Sequence, residues 1–168
     1  MRLLLLMTLL IGLPRTVLAE EFIRFAPPIF LAGPSISRSA LGATYAYRGR
    51  GSWADTELQI TVTALPDASA EALIAKPTDC LGMFLDALRV RSPELFFMSS
   101  DEALQAGPLE LPQVRWTRRA STGLATGVTA CGIYRSRLVA INFATATTNA
   151  LATLPAVRHR LRELQLNF

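Results

Sequence analysis

Apolar and polar side chains alternate most cleanly over Glu57–Ala64, where Leu58, Ile60, Val62 and Ala64 are separated by Gln59, Thr61 and Thr63. Successive side chains of a strand point to opposite faces, so this period of two predicts a half-buried antiparallel strand. Residues 43–48 read the same way, with Tyr45 and Tyr47 on one face. Three further strands are expected: residues 109–120, broken near Pro112; residues 124–134; and Arg137–Ala146, which sets Val139, Ile141 and Phe143 against Leu138, Ala140 and Asn142. The last two meet at the basic turn Tyr134-Arg135-Ser136-Arg137, making a hairpin over 128–144 the centre of the chain. Its inward face is expected to carry Cys131, Ile133, Ile141 and Phe143.

Elsewhere the period lengthens to that of a helix. Cys80, Leu81, Phe84, Leu85 and Leu88 form one apolar stripe over residues 78–91, with Thr78 or Asp79 to cap the start and Ser92-Pro93 to end it. Residues 147–168 turn helical again, with Pro155 in the first turn of a fresh helix and Val157, Leu161 and Leu164 facing inward. Pro27, Pro28 and Pro34 break residues 20–39, leaving a short edge strand at 22–25. A turn is expected at 49–52, a helical turn at 68–75, a short buried run at 95–98 and a surface loop at 99–107. Strands interrupted by helices, without regular strand-helix alternation, define an α+β class: a central antiparallel sheet of about six strands with helices packed on it.

This picture applies only after the start of the chain is set aside. Arg2 followed by the apolar run Leu3 to Leu13 has the length and charge of a secretory leader, and Thr16-Val17-Leu18-Ala19 supplies a cleavage site before Glu20. The run is too short to span a bilayer, which takes about 20 apolar residues. The expected organisation is therefore a signal peptide over 1–19 and one domain over 20–168, with no transmembrane span after cleavage. Loss of Arg2 and Arg15 halves the formal charge of +4, too little to argue for nucleic acid. Only one basic residue, Lys76, is a lysine, an arginine bias that follows the coding composition of a bacterial genome. A leader with an even pair of cysteines points to the periplasm, or to secretion, where disulfides persist.

The order of elements, the Tyr45-Ala46-Tyr47 strand, the strand from Leu58 to Ala64 and the late hairpin ending Leu138-Val139-Ala140-Ile141-Asn142-Phe143 before a C-terminal helix resemble the PsbP-like family. The resemblance covers the layout of residues 43–164 and implies an α/β/α sandwich around a central antiparallel sheet. It implies no site residue, because the family's partner-binding and metal-associated positions have no matching motif in this chain. A cystatin-like cone, one long helix against a curved sheet, is the alternative arrangement.

Cys80 and Cys131 carry the firmest chemistry: a bond between them would tie helix to hairpin and contribute about 4 kcal/mol by loop-entropy reasoning. A redox pair would favour Cys-X-X-Cys and a zinc site would need two further ligands nearby, so neither a metal nor a cofactor is expected. His159, the only histidine, lies between Arg158 and Arg160 on the outward side of the last helix, and Gly-X-Ser-X-Gly does not occur. With no catalytic residue assigned, a non-enzymatic exported domain is expected, binding an envelope protein or an anionic lipid or cell-wall polymer. A basic rim of Arg48, Arg50, Arg115, Arg118, Arg119, Arg135 and Arg137 is the candidate surface, should these residues align. The alternatives are a hydrolase-type enzyme using a carboxylate pair, Asp55 and Glu57 or Asp101 and Glu102, and a structural accessory of an envelope assembly.

Overall fold

Strand alternation dominates the structure, a computed structural model that describes residues 21–65, 77–91, 94–99 and 102–168. The leader, the helical turn at 68–75 and Asp101 lie outside the described residues. In chain order the strands are β1 (Ile23–Arg24), β2 (Leu31–Arg38), β3 (Gly42–Gly49), β4 (Glu57–Ala64), β5 (Leu95–Ser99) and β6 (Leu104–Ala106). They continue with β7 (Leu109–Leu111), β8 (Gln113–Ala120), β9 (Gly123–Tyr134), β10 (Arg137–Ala146) and β11 (Gln165–Leu166). The helices are α1 (Pro77–Arg91) and α2 (Ala150–Leu161). Seven strands form one antiparallel sheet in the order β2-β3-β4-β10-β9-β8-β5, and β1-β11 and β6-β7 make two small ladders. An α+β class with a large antiparallel sheet is therefore present, with one strand more than expected.

The register sorts side chains onto two faces. Ile141 stands opposite Ile60 on one side and Ala130 on the other, and Phe143 opposite Leu58 and Val128. Ile141, Ile60, Ala130, Phe143 and Leu58 join Tyr45, Tyr47, Val62 and Val139 in the main core, which Val157 and Leu161 of α2, the β6-β7 ladder and Ile23 cover. On the opposite face Cys131 pairs with Ala140, and a smaller cluster forms with Cys80, Leu81, Phe84 and Leu138 beneath α1. Cys131 and Ile133 thus do not share a face with Ile141 and Phe143, contrary to expectation. The cause is the two-residue turn Arg135-Ser136, both residues at positive φ (48° and 58°), which pairs Tyr134 with Arg137 and sets every later pairing.

Other departures have local causes. Residues 31–38 form β2 despite Pro34, because β2 is an edge strand and a register shift between Ala32 and Ser35 absorbs the proline. Residues 104–111, expected as loop and strand start, fold into the β6-β7 hairpin, burying Leu104, Ala106, Leu109 and Leu111. Residues 95–98 belong to the edge strand β5, and Phe96 and Met98 are exposed, not buried. Helix α2 starts at Ala150, so Pro155 lies inside it past the first turn; the helix ends at Leu161 and the chain returns as β11 against β1.

The core also holds a titration signal. Burial, reinforced by neighbouring Tyr45 and by Glu21, pushes the Tyr47 phenol from 10 up to about 12. The folded state favours the neutral phenol, so this contribution is complete below pH 10 and is lost as the pH rises through about 12. Urea midpoints measured from pH 9 to pH 12 should fall over that window, and Tyr47→Phe should flatten the fall. An equal slope in both proteins would refute the assignment.

Candidate anion-binding site

The seven arginines expected to form a rim are divided by the alternation of the strands that carry them. Arg48 of β3 and Arg118 of β8 lie on the α1 face, Arg118 with its guanidinium 5.7 Å from the Trp116 ring centre. Arg50 is exposed in the turn after β3. Arg115 and Arg119 occupy the core face of β8, opposite Val128 and Leu124 of β9. Arg137 lies on that face too, but Phe143, in the cross-strand row of Arg115, is six residues along β10, about 20 Å at 3.4 Å per residue. There Arg137 stacks on Phe22 (4.8 Å) and Phe168 (5.2 Å), while Arg135 donates from Nη1 to the Phe168 carbonyl at 2.8 Å. Arg135 and Arg137 therefore fasten the terminal segments of the described chain, and the seven do not form one surface.

A different basic cluster forms where Arg158 of α2 meets Gln113 at the start of β8. The Arg158 guanidinium donates from Nη1 to Glu102 Oε2 (3.3 Å) and from Nη2 to Gln113 Oε1 (3.0 Å). Gln113, buried at the start of β8, in turn donates from Nε2 to the Glu102 carbonyl at 2.6 Å, holding that loop against the arginine. Arg115 reaches the same carboxylate oxygen from Nη2 at 3.5 Å. Two guanidiniums thus share one oxygen through terminal nitrogens, and the Nε of each is buried without a hydrogen-bond partner among the described residues. Charge-assisted N–H···O contacts are ordinarily 2.7–2.9 Å and Arg prefers a two-pronged grip, so this pairing leaves donor capacity unused.

Beside these groups lies a cavity of about 320 Å³ lined by Arg115, Leu154, Pro155, Arg158, His159 and Arg162. It adjoins a second of about 300 Å³ that shares Arg158 and Arg162 and is bordered by Glu102, Leu104 and Gln105. Arg158 keeps only 24% of its side chain exposed, whereas Glu102 keeps 69%, so the cation is fixed and its counter-ion is wet. Among the described residues three guanidiniums line this cleft against one carboxylate.

No family model and no curated protein matches this chain. Among solved structures it is similar to LpqN, described as involved in cell envelope biogenesis of Mycobacterium tuberculosis, at 9% identity and a TM-score of 0.47 over 87% of this chain and 83% of that one. A likeness of that degree carries neither a fold assignment nor a role, and the PsbP-like resemblance has no matching family model beside it.

Cys80 and Cys131 are joined by a disulfide. Asp55 is exposed in the turn before β4, and Glu57 accepts a hydrogen bond from Gln59 Nε2 at 3.0 Å on the α1 face. Glu102, the described half of the other carboxylate pair, serves as counter-ion to the arginines. His159 is exposed, as its place between arginines suggested, yet it lines the cleft. Among the described residues no three of His, Cys, Asp and Glu gather to hold a metal ion, and no helix is long and apolar enough to cross a membrane. Sequence reasoning missed Arg158 and Arg162. Their spacing of four, one helical turn beside the Val157, Leu161 stripe, was the available signal.

Proposed function

We propose that this chain is an exported, non-enzymatic domain of the periplasm, freed of its leader after Ala19, that binds an anionic envelope component in the arginine cleft. The observation that carries the reading is that Arg115, Arg158 and Arg162 line one cavity, and that Arg158 and Arg162 also line the adjoining one, where Glu102 is the one carboxylate among the described lining residues. Guanidinium forks match carboxylate and phosphate oxygens, and a half-buried fork loses less to solvent screening than one on an open surface. The disulfide supports the compartment, since such bonds persist where thiols are kept oxidised.

Retention of the folded protein on phosphatidylglycerol vesicles and on cell-wall sacculi tests this reading. Replacing Arg158 and Arg162 by Ser is expected to weaken retention at least tenfold and to reduce its salt dependence, because two of the cations are gone. Co-elution of wild type and variant from both matrices would remove the cleft from the account.

A further inference from the structure

The cleft opens beside an apolar area of the sheet that the fold leaves uncovered. Met98 of β5 stands opposite Arg115 on the core face, Phe96 opposite Thr117, and Leu124 of β9 opposite Arg119. Side chains directly across a ladder share a face, so all three apolar residues project on the side of the sheet that carries α2. There α2 covers the inner strands, but Phe96 stays 72% exposed, Met98 59% and Leu124 56%. Neighbouring strands are about 4.8 Å apart, which confines the three to one patch three strands wide.

Around that patch stand Arg115 and Arg119 within it and Arg158 and Arg162 at the cleft, against Glu94, 3.8 Å from Arg119, and Glu102. Among the described residues four cations face two anions, and the apolar side chains project among the cations. A water-soluble anionic polymer would account for the arginines but leave Phe96, Met98 and Leu124 in water. An apolar protein surface would account for those three but leave the arginines desolvated and unpaired. An anionic lipid surface satisfies both, since headgroup phosphates meet the guanidiniums while aromatic and apolar side chains enter the interface below them.

We infer that the core-face side of β5, β8 and β9 docks on an anionic bilayer, with the arginine cleft holding headgroup phosphates and Phe96 and Met98 inserting between headgroups. The inference rests on the anion-binding reading of the cleft and narrows its partner to lipid. Sedimentation with phosphatidylglycerol vesicles is expected, with little or none on phosphatidylcholine. Phe96→Ser combined with Met98→Ser should weaken vesicle binding at least tenfold without shifting the thermal midpoint, because both positions are exposed. Phe96→Trp should acquire a fluorescence component, above that of Trp53 and Trp116, that vesicles with brominated acyl chains quench.

Vesicle binding that survives the Phe96/Met98 variant, or a Phe96→Trp probe that brominated lipid does not quench, overturns insertion while leaving the arginine cleft standing. Retention on sacculi without vesicle binding overturns the lipid assignment in favour of a wall polymer. Failure on both matrices overturns the anion-binding reading itself.

Discussion

Replacing Cys80 and Cys131 together by Ala is expected to cost about 4 kcal/mol of stability, the loop-entropy figure for a cross-link at a sequence separation of 51. Total stabilities of single domains run to about 5–15 kcal/mol, so the loss is a large fraction of the whole. Urea denaturation of the oxidised protein and of the double variant measures it, and a difference below about 1 kcal/mol would contradict the cross-link's role. The damage should also be local. Beneath α1 the disulfide is surrounded by a small cluster, with Ala140, Leu81, Phe84 and Leu138, separate from the main core. Amide exchange should therefore show α1 losing protection first, while β4 and β10, buried in the centre of the sheet, keep theirs.

Gly127→Ala is expected to cost about 3 kcal/mol or more, for a reason that lies across one pair of strands. Gly127 stands opposite Trp116, and the buried indole lies directly over it. A Cβ at position 127 would collide with Cζ2 and Cε2 of that ring and crowd the Phe143 carbonyl oxygen. The ring cannot swing aside freely, because Nε1 donates to Thr129 Oγ1 at 3.0 Å and that hydroxyl donates to Asn142 Oδ1 at 2.9 Å. At roughly 2–4 °C per kcal/mol, the thermal midpoint should fall by about 6–12 °C. Trimming the ring should relieve the clash, so Gly127→Ala combined with Trp116→Leu should cost less than the sum of the two single changes. Additive losses, or a neutral Gly127→Ala, would show that the indole does not rest on residue 127.

Reading the sequence by periodicity succeeded where one period governs a whole strand. Glu57–Ala64 and Arg137–Ala146 have the expected bounds, because each alternates without interruption and pairs with a neighbour on both sides. It failed at the margins of the sheet. Edge strands need no consistent alternation, so β2 with its proline and β5 with its exposed Phe96 and Met98 carry no clear pattern. The face of Cys131 was legible in principle, since a two-residue turn at Arg135-Ser136 dictates that Cys131 meets Ala140. Periodicity within one strand does not say which parity of the next strand shares its face. The arginine cleft was less legible still. Arg115, Arg158 and Glu102 come together only through the reach of Arg158 from α2 to Gln113 and the grip of Gln113 on a loop, contacts that no local spacing encodes.

The two ends of the main sheet are unlike, and this governs how the molecule could polymerise. At the β2 end, Pro34 withholds a backbone donor and the shift between Ala32 and Ser35 interrupts the repeat that an incoming strand would have to match. At the β5 end, the described strand Leu95–Ser99 pairs in unbroken register with β8 and contains no proline. A template that can be copied at one end only supports pairing of two molecules but not an indefinite stack, so edge-to-edge growth between native copies is self-limiting.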